Sequence, residues 1–232
     1  MKTIGIIGAM EEEIAVLKSK MELISTKNVI GADFYLGTMA GCSIILARCG
    51  IGKVNAAVCA QVLIDLYAVD YCINIGVAGA LNKELSIGDI VISRDAVHHD
   101  FDTTPFGDPI GLIPRLNARF FAADEELVRI AETCAKTVMK DKNIVIGRIA
   151  SGDQFIADNE AKTKIAGITK ADCVEMEGAA IAQACFLNRI PFVIIRAISD
   201  KADHSAEGNF EKFVAEAANN SGWIVEEMVK IL

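Results

Sequence analysis

Apolar and polar positions along the chain follow two periods. Short apolar, β-branched runs bounded by Gly, Pro or Asn occur at Thr3 to Ile7, Tyr71 to Ile75, Ile87 to Ser93, Asn143 to Ala150 and after Pro191; their length and boundaries predict buried strands. Phe34 to Thr38 and Ser43 to Cys49 flank Ala40-Gly41 and read as a hairpin. Helical spacing appears at Glu11 to Lys20, in the Ala-rich stretch from Lys53 to Tyr67, and at Asp124 to Met139 through Leu127, Ile130, Ala131 and Cys134. It returns in the small-residue run from Gly178 to Asn188, and in a closing amphipathic helix from Phe210 to Leu232 with Phe213, Ala217 and Ile224 on one face. His98 to Asn117 carries Pro, Gly and aromatics without a period, so it is predicted to be a long loop, and long loops in compact domains are usually functional.

Alternation of strands and helices with at least one hairpin predicts an α/β fold. The expectation is a single three-layer αβα domain over residues 1–232, with a mixed, mostly parallel twisted central sheet flanked by helices. Four scattered prolines and no Ser/Gly-rich run leave no candidate linker. In such folds ligands bind at the carboxyl ends of strands. Here those ends are distinctive: Gly8 to Glu13, Gly50 to Lys53, Gly76 to Gly79, Ser151 to Phe155, Val174 to Glu177 and Ser199 to Asp203.

Composition narrows the partners. Apolar residues make up 52% and charged residues 23% of the 232 positions, which suits a globular core and not a disordered chain. A net charge of -8 with no Lys/Arg cluster argues against a nucleic-acid surface and favours a small neutral or cationic ligand. No segment approaches the roughly 20 apolar residues of a membrane span. The apolar start from Ile4 to Met10 is broken by glycines and followed by three glutamates, unlike a signal peptide, so a cytoplasmic protein is expected. The seven cysteines lack any C-x-x-C pair and read as reduced core residues.

Chemistry concentrates in the acids. Glu175 and Glu177 stand one residue apart before an apolar helix, and Asp200 ends a buried strand, a costly placement for groups without a use. With Glu13 they suggest acid/base work in which one carboxylate polarises water and another, held protonated, protonates a leaving group, the logic of glycoside cleavage. Glu11 to Glu13 taken alone read more simply as a solvated first helical turn. The glycine turns match neither a P-loop nor a full dinucleotide fingerprint, and three acids beside the first turn would repel phosphate. His98 and His99 with Asp100 and Asp102 lack a recognisable metal spacing and read as a solvated loop. Phe106 and Phe155 are either core residues or, lying in turns, platforms for a base.

Taken together, the motifs resemble a known family. Ile4-Gly5-Ile6-Ile7-Gly8-Ala9-Met10-Glu11-Glu12-Glu13, Cys49 to Lys53, Ser151-Gly152-Asp153-Gln154-Phe155, Val174-Glu175-Met176-Glu177 and Arg196-Ala197-Ile198-Ser199-Asp200 are similar, in order and over nearly the whole chain, to 5′-methylthioadenosine/S-adenosylhomocysteine nucleosidases. The resemblance implies hydrolysis of the adenine N-glycosidic bond without phosphate, metal or cofactor, in methionine salvage and recycling of S-adenosylmethionine by-products. It implies Glu13 as the base that positions water, aided by Arg196 and Glu175, and Asp200 as proton donor to adenine N7, oriented by Ser199. Met176 and Glu177 would hold the ribose, Phe155 would stack on adenine, and the Ile156 backbone would bond its edge. Gly79 would admit the base, while Ile51, Phe210 and the loop around Phe106 and Pro114 would enclose the 5′ tail. A homodimer is also implied, with one subunit's loop capping the other's pocket. The chain departs from the family pattern at Ile75 and Val77, where Thr or Ser is common, and at Ala80, where Gly is.

Three other readings remain: a purine nucleoside phosphorylase, which would need a phosphate site; a non-catalytic nucleoside-binding module, which would not need Glu13 and Asp200 together; and a nucleosidase for aminodeoxyfutalosine-type substrates, with 5′-deoxyadenosine as a further candidate substrate.

Overall fold

A computed structural model describes residues 2–232. The chain opens with β1 (Thr3–Gly8) and α1 (Glu11–Lys20), the acids in the first turn and Lys18 and Lys20 in the last matching the helix dipole. A meander follows: β2 (Glu22–Val29), β3 (Ala32–Met39) and β4 (Cys42–Arg48), the last two joined through Ala40-Gly41, both at positive φ as a tight hairpin requires. Next come α2 (Lys53–Tyr67), β5 (Tyr71–Ala80), β6 (Ile90–His98), a short 3-10 turn at Thr104–Phe106, and β7 (Phe121–Ala122). The remainder is α3 (Glu125–Val138), β8 (Ile144–Ser151), α4 (Asn159–Thr169), β9 (Cys173–Glu175), α5 (Gly178–Asn188), β10 (Phe192–Asp200) and α6 (Ala206–Val229).

The strands form one mixed sheet in the order β10-β6-β8-β9-β5-β1-β4-β3-β2, with β7 beside β6. Helices α1, α3 and α6 pack together on one face, and α2 and α5 on the other, giving three layers. The strand period divides the core between these faces. Ile44 and Leu46 join α1 and α6, whereas Ile45 and Ala47 join α2 and α5.

Strand β10 also pairs with β5, so β5, β10, β6, β8 and β9 close into a ring. Strands β8 and β9 run opposite to β5. The carboxyl tip of β5 meets the start of β9 only at Gly79–Val174 and Ala80–Cys173, after which the two strands' carboxyl ends lie close together.

Several boundaries differ from the expectations. Strand β5 does not end at Ile75 but runs through the glycines, because Val77 and Ala78 pair with Ala197 and Ile198. Strand β6 begins at Ile90, not Ile87, and extends to His98, which pairs with Ser151. Strand β2, mostly exposed and without alternation, and α4, which buries only Ile165 and Thr169, left no clear period to read. All seven cysteines are buried and unpaired.

Candidate active site

The strand ends enclose a cavity of about 370 Å³. Its walls come from the turn after β1, the start of α1, the ends of β5, β9 and β10, the segment after β8, and Phe210 of α6. It is largely apolar, with carboxylates at separate points on its lining: Glu13, Glu175, Glu177 and Asp200.

Glu13 is buried, in the first turn of α1. Its Oε2 accepts from the backbone N–H groups of Ala9 (2.6 Å) and Met10 (3.1 Å), and its Oε1 from that of Val77 (3.1 Å). The expectation of a solvated first turn holds for Glu11 and Glu12, which are exposed, but not for Glu13. Burial raises the Glu13 pKa, against the opposing pull of Arg196 and the three backbone donors. Gly76 gives this carboxylate its room. A Cβ there would fall inside contact distance of Glu13 Oε1 and 3.1 Å from Arg196 Nη1.

Asp200 ends β10 and is buried. Its Oδ1 accepts from Ala202 N–H (2.8 Å), and Ser199 Oγ donates to its Oδ2 (2.9 Å). Burial pushes its pKa up, and these two bonds only partly offset that. The bare α-carbon of Gly79 makes the arrangement possible, since a Cβ would sit 2.8 Å from Asp200 Oδ1 and 2.9 Å from the Ala202 Cβ. Phe155, half-exposed, meets Phe210 edge-on with ring centres 5.7 Å apart, and together with Ile51 and Met176 they make the apolar wall.

Glu175 and Glu177 have different partners. Glu175 forms a buried ion pair with Arg196, accepts from Ser151 Oγ, and takes the Gly178 N–H at 2.8 Å. Burial alone would raise its pKa, yet Arg196 and Ser151 outweigh burial and hold it below the usual carboxylate range. Glu177 accepts one hydrogen bond, from Gly52 N–H at 2.7 Å, and burial followed by the charge of Glu175 pushes it up to about 8. Its second oxygen has no hydrogen-bond partner in the protein, and the residue lines the cavity beside Met176.

Of the expected site residues, Glu13, Ile51, Gly79, Phe155, Ile156, Glu175, Met176, Glu177, Ser199, Asp200 and Phe210 line this cavity. Arg196 lies behind the wall, 1% exposed. Phe106 and Pro114 are not brought to it; both are exposed, Phe106 at 86%. His98 and His99 are buried, not in a solvated loop, and burial lowers both pKa values. Beside them Lys53 pairs with Asp100 at 2.5 Å. Among the described residues no group of three or more His, Cys, Asp or Glu is arranged to hold a metal ion. Sequence reasoning passed over Asn74, whose Oδ1 accepts from Arg196 Nη2 at 2.6 Å. A lone amide inside the apolar run Cys72 to Ile75 was the available signal.

Comparisons with known proteins show the family of the chain. The Phosphorylase superfamily model matches residues 3–230. A 5′-methylthioadenosine/S-adenosylhomocysteine nucleosidase of Staphylococcus haemolyticus is 43% identical over 230 residues, 99% of this chain and 100% of the relative. The crystal structure of the Neisseria meningitidis nucleosidase of that name, in complex with methylthio-immucillin-A, matches with a TM-score of 0.96 at 42% identity over 100% of both chains. A futalosine hydrolase mutant of Helicobacter pylori matches with a TM-score of 0.95 at 34% identity, again over 100% of both chains. With similarity at this level over its whole length, the chain belongs to the 5′-methylthioadenosine/S-adenosylhomocysteine nucleosidase family of the Phosphorylase superfamily.

Proposed function

We propose that the chain is an N-glycosyl hydrolase that cleaves 5′-methylthioadenosine and S-adenosylhomocysteine to adenine and the corresponding thioribose. The observation that carries this reading is the presence of Glu13 and Asp200 in one mostly apolar cavity, each buried and each with a raised pKa. Glu13, anchored by three backbone donors, keeps a direction in which to hold water against the anomeric carbon. Arg196 supplies the positive charge that favours its anionic form. Asp200, biased toward its protonated form, gives a proton to adenine N7 as the bond breaks and charge develops on the base. Glu177 accepts from the ribose hydroxyls beside Met176, Phe155 stacks on adenine next to the Ile156 backbone, and Ile51 and Phe210 cover the thioether tail.

The cavity draws on residues from Ala9 to Phe210, which supports one functional domain. A homodimer completes the site. Ile51, Val54, Val58, Phe106, Phe186 and Leu187 are large apolar side chains left exposed on α2, α5 and the adjoining loops, and a second copy would cover them. Phe106 and Pro114 then serve the partner's pocket. No described helix is long and apolar enough to cross a membrane, in keeping with the cytoplasmic location proposed for the enzyme.

The test is chromatographic detection of adenine from methylthioadenosine, adenosylhomocysteine and 5′-deoxyadenosine, in phosphate-free buffer with chelator. Release is expected, and its absence with all three would overturn the reading, while release only on adding phosphate would make the chain a phosphorylase. The similarity to a futalosine hydrolase favours one second reading, that aminodeoxyfutalosine-type nucleosides share the same base and ribose contacts, so such a nucleoside belongs in the same assay.

A further inference from the structure

Arg196 is a buried cation facing three carboxylates: Glu175 at the end of β9, Glu177 at the start of α5, and Glu13 on α1. A guanidinium has five N–H groups. Here Nε and Nη2 donate to Glu175 Oε2, Nη2 also donates to Asn74 Oδ1, and Nη1 donates to the Ile195 carbonyl at 3.3 Å. One Nη1 hydrogen is left. A Cβ on Gly76 would fall 3.1 Å from Nη1 and inside contact distance of Glu13 Oε1, so both groups border the space this glycine leaves open.

Two neutral side chains outside the cavity fix this arrangement. Asn74 is buried, and its Nδ2 donates to the Ile7 carbonyl at 2.8 Å, so its Oδ1 has to face Arg196. Ser151 is fully buried, and its Oγ accepts from Ala179 N–H at 2.7 Å. Its single O–H is thereby directed to Glu175 Oε1, while Glu175 Oε2 takes Arg196 and the Glu177 and Gly178 N–H groups. The Glu175–Arg196 pair thus has one orientation. A buried pair contributes little net stability over an apolar filling, but one locked in orientation aims its remaining donor.

We propose that Asn74 and Ser151 are positioning residues for the glycosidic cleavage: together they lock Glu175 and Arg196 so that the last Nη1 hydrogen is aimed at Glu13 and the water it holds. This rests on the reading of Glu13 as the base. Neither residue touches substrate; they act through Arg196.

The experiment compares wild type with Asn74→Asp, Ser151→Ala and Ser151→Thr, measuring kcat and KM for methylthioadenosine across pH and adenine affinity by calorimetry. Asn74→Asp and Ser151→Ala are expected to lower kcat about 10- to 100-fold, the scale of a small misplacement, with KM and adenine affinity unchanged. Ser151→Thr, keeping the hydroxyl, is expected to recover most of the loss. In Asn74→Asp the added carboxylate draws on Arg196, Glu13 loses part of the charge that favours its ionised form, and the acidic limb of the kcat profile moves to higher pH. Wild-type kcat in both variants overturns the proposal. So does a loss of activity in Asn74→Asp with an unmoved pH profile, or a loss of adenine binding in both, since either marks a merely structural role. Wild type run alongside separates the two claims: no adenine from it retires the hydrolase reading itself, whereas active wild type with indifferent variants retires only the positioning role.

Discussion

At the scale of single residues, the acids of the site are distinguished by their partners. Asp200 keeps two neutral donors and no ion pair, which suits an acid that must give up a proton. Asp200→Asn preserves the shape and the Ala202 bond and removes only the transferable proton. Adenine should still bind, and turnover should fall about 10²- to 10⁴-fold, the usual worth of a general acid; a near-normal rate would sink the assignment. Glu177 makes a second prediction, in stability. Its pKa moves from 4.5 to about 8 on folding, so between those values the folded chain holds more proton than the unfolded one. Stability from this group is full below pH 4.5 and is lost as pH rises toward 8, at a limiting slope of about 1.4 kcal/mol per pH unit. Glu13 and Asp200, also raised, act with the same sign. Thermal melts of wild type should therefore decline over this window, and Glu177→Gln should flatten the decline. Parallel melting curves for the two proteins would contradict the buried, protonated Glu177.

At the scale of elements, the site depends on strand β5 coming close to its neighbours. Gly79 has no positive φ to explain it; the reason for glycine there is space, because a Cβ would collide with Asp200 and Ala202. Gly79→Ala should displace the carboxyl end of β10, costing about 1–3 kcal/mol by overpacking and lowering kcat more than adenine affinity. Denaturant midpoints and steady-state kinetics check this together, and unchanged values for both would refute the steric role. The elements were unevenly legible in the sequence. α1 spans Glu11–Lys20 as its period predicts, and α3 begins at the Asp124 cap, whose side chain accepts from Leu127 N–H. β2 and α4 were not legible, since exposed or weakly buried segments carry no strong period. The glycines that looked like the end of β5 are its continuation, because pairing with β10, distant in sequence, outweighs local strand propensity.

At the scale of the whole molecule, α2 and α5 leave large apolar side chains exposed on the single chain. A dimer by light scattering is expected for wild type. Val54→Glu, at a side chain 73% exposed, should shift it toward monomer and weaken binding of nucleosides with long 5′ tails. A wild-type monomer at micromolar concentration would remove the partner-capping reading of Phe106 and Pro114.

The sequence by itself determined the fold class, the family and the identity of the acids, because these rest on local period, turn chemistry and motifs read in order. It placed Glu13, Glu175, Glu177 and Asp200 at strand ends but left Glu13 open to a solvated reading, since a helical first turn looks the same whether or not a sheet covers it. Only the tertiary structure decided which carboxylate is paired and which is free. Arg196 chooses Glu175, Asn74 and Ser151 hold that choice, and Glu177 is left with a single backbone donor. The physical reason is that charge state follows burial and neighbours, and both are set by contacts between residues far apart in the chain.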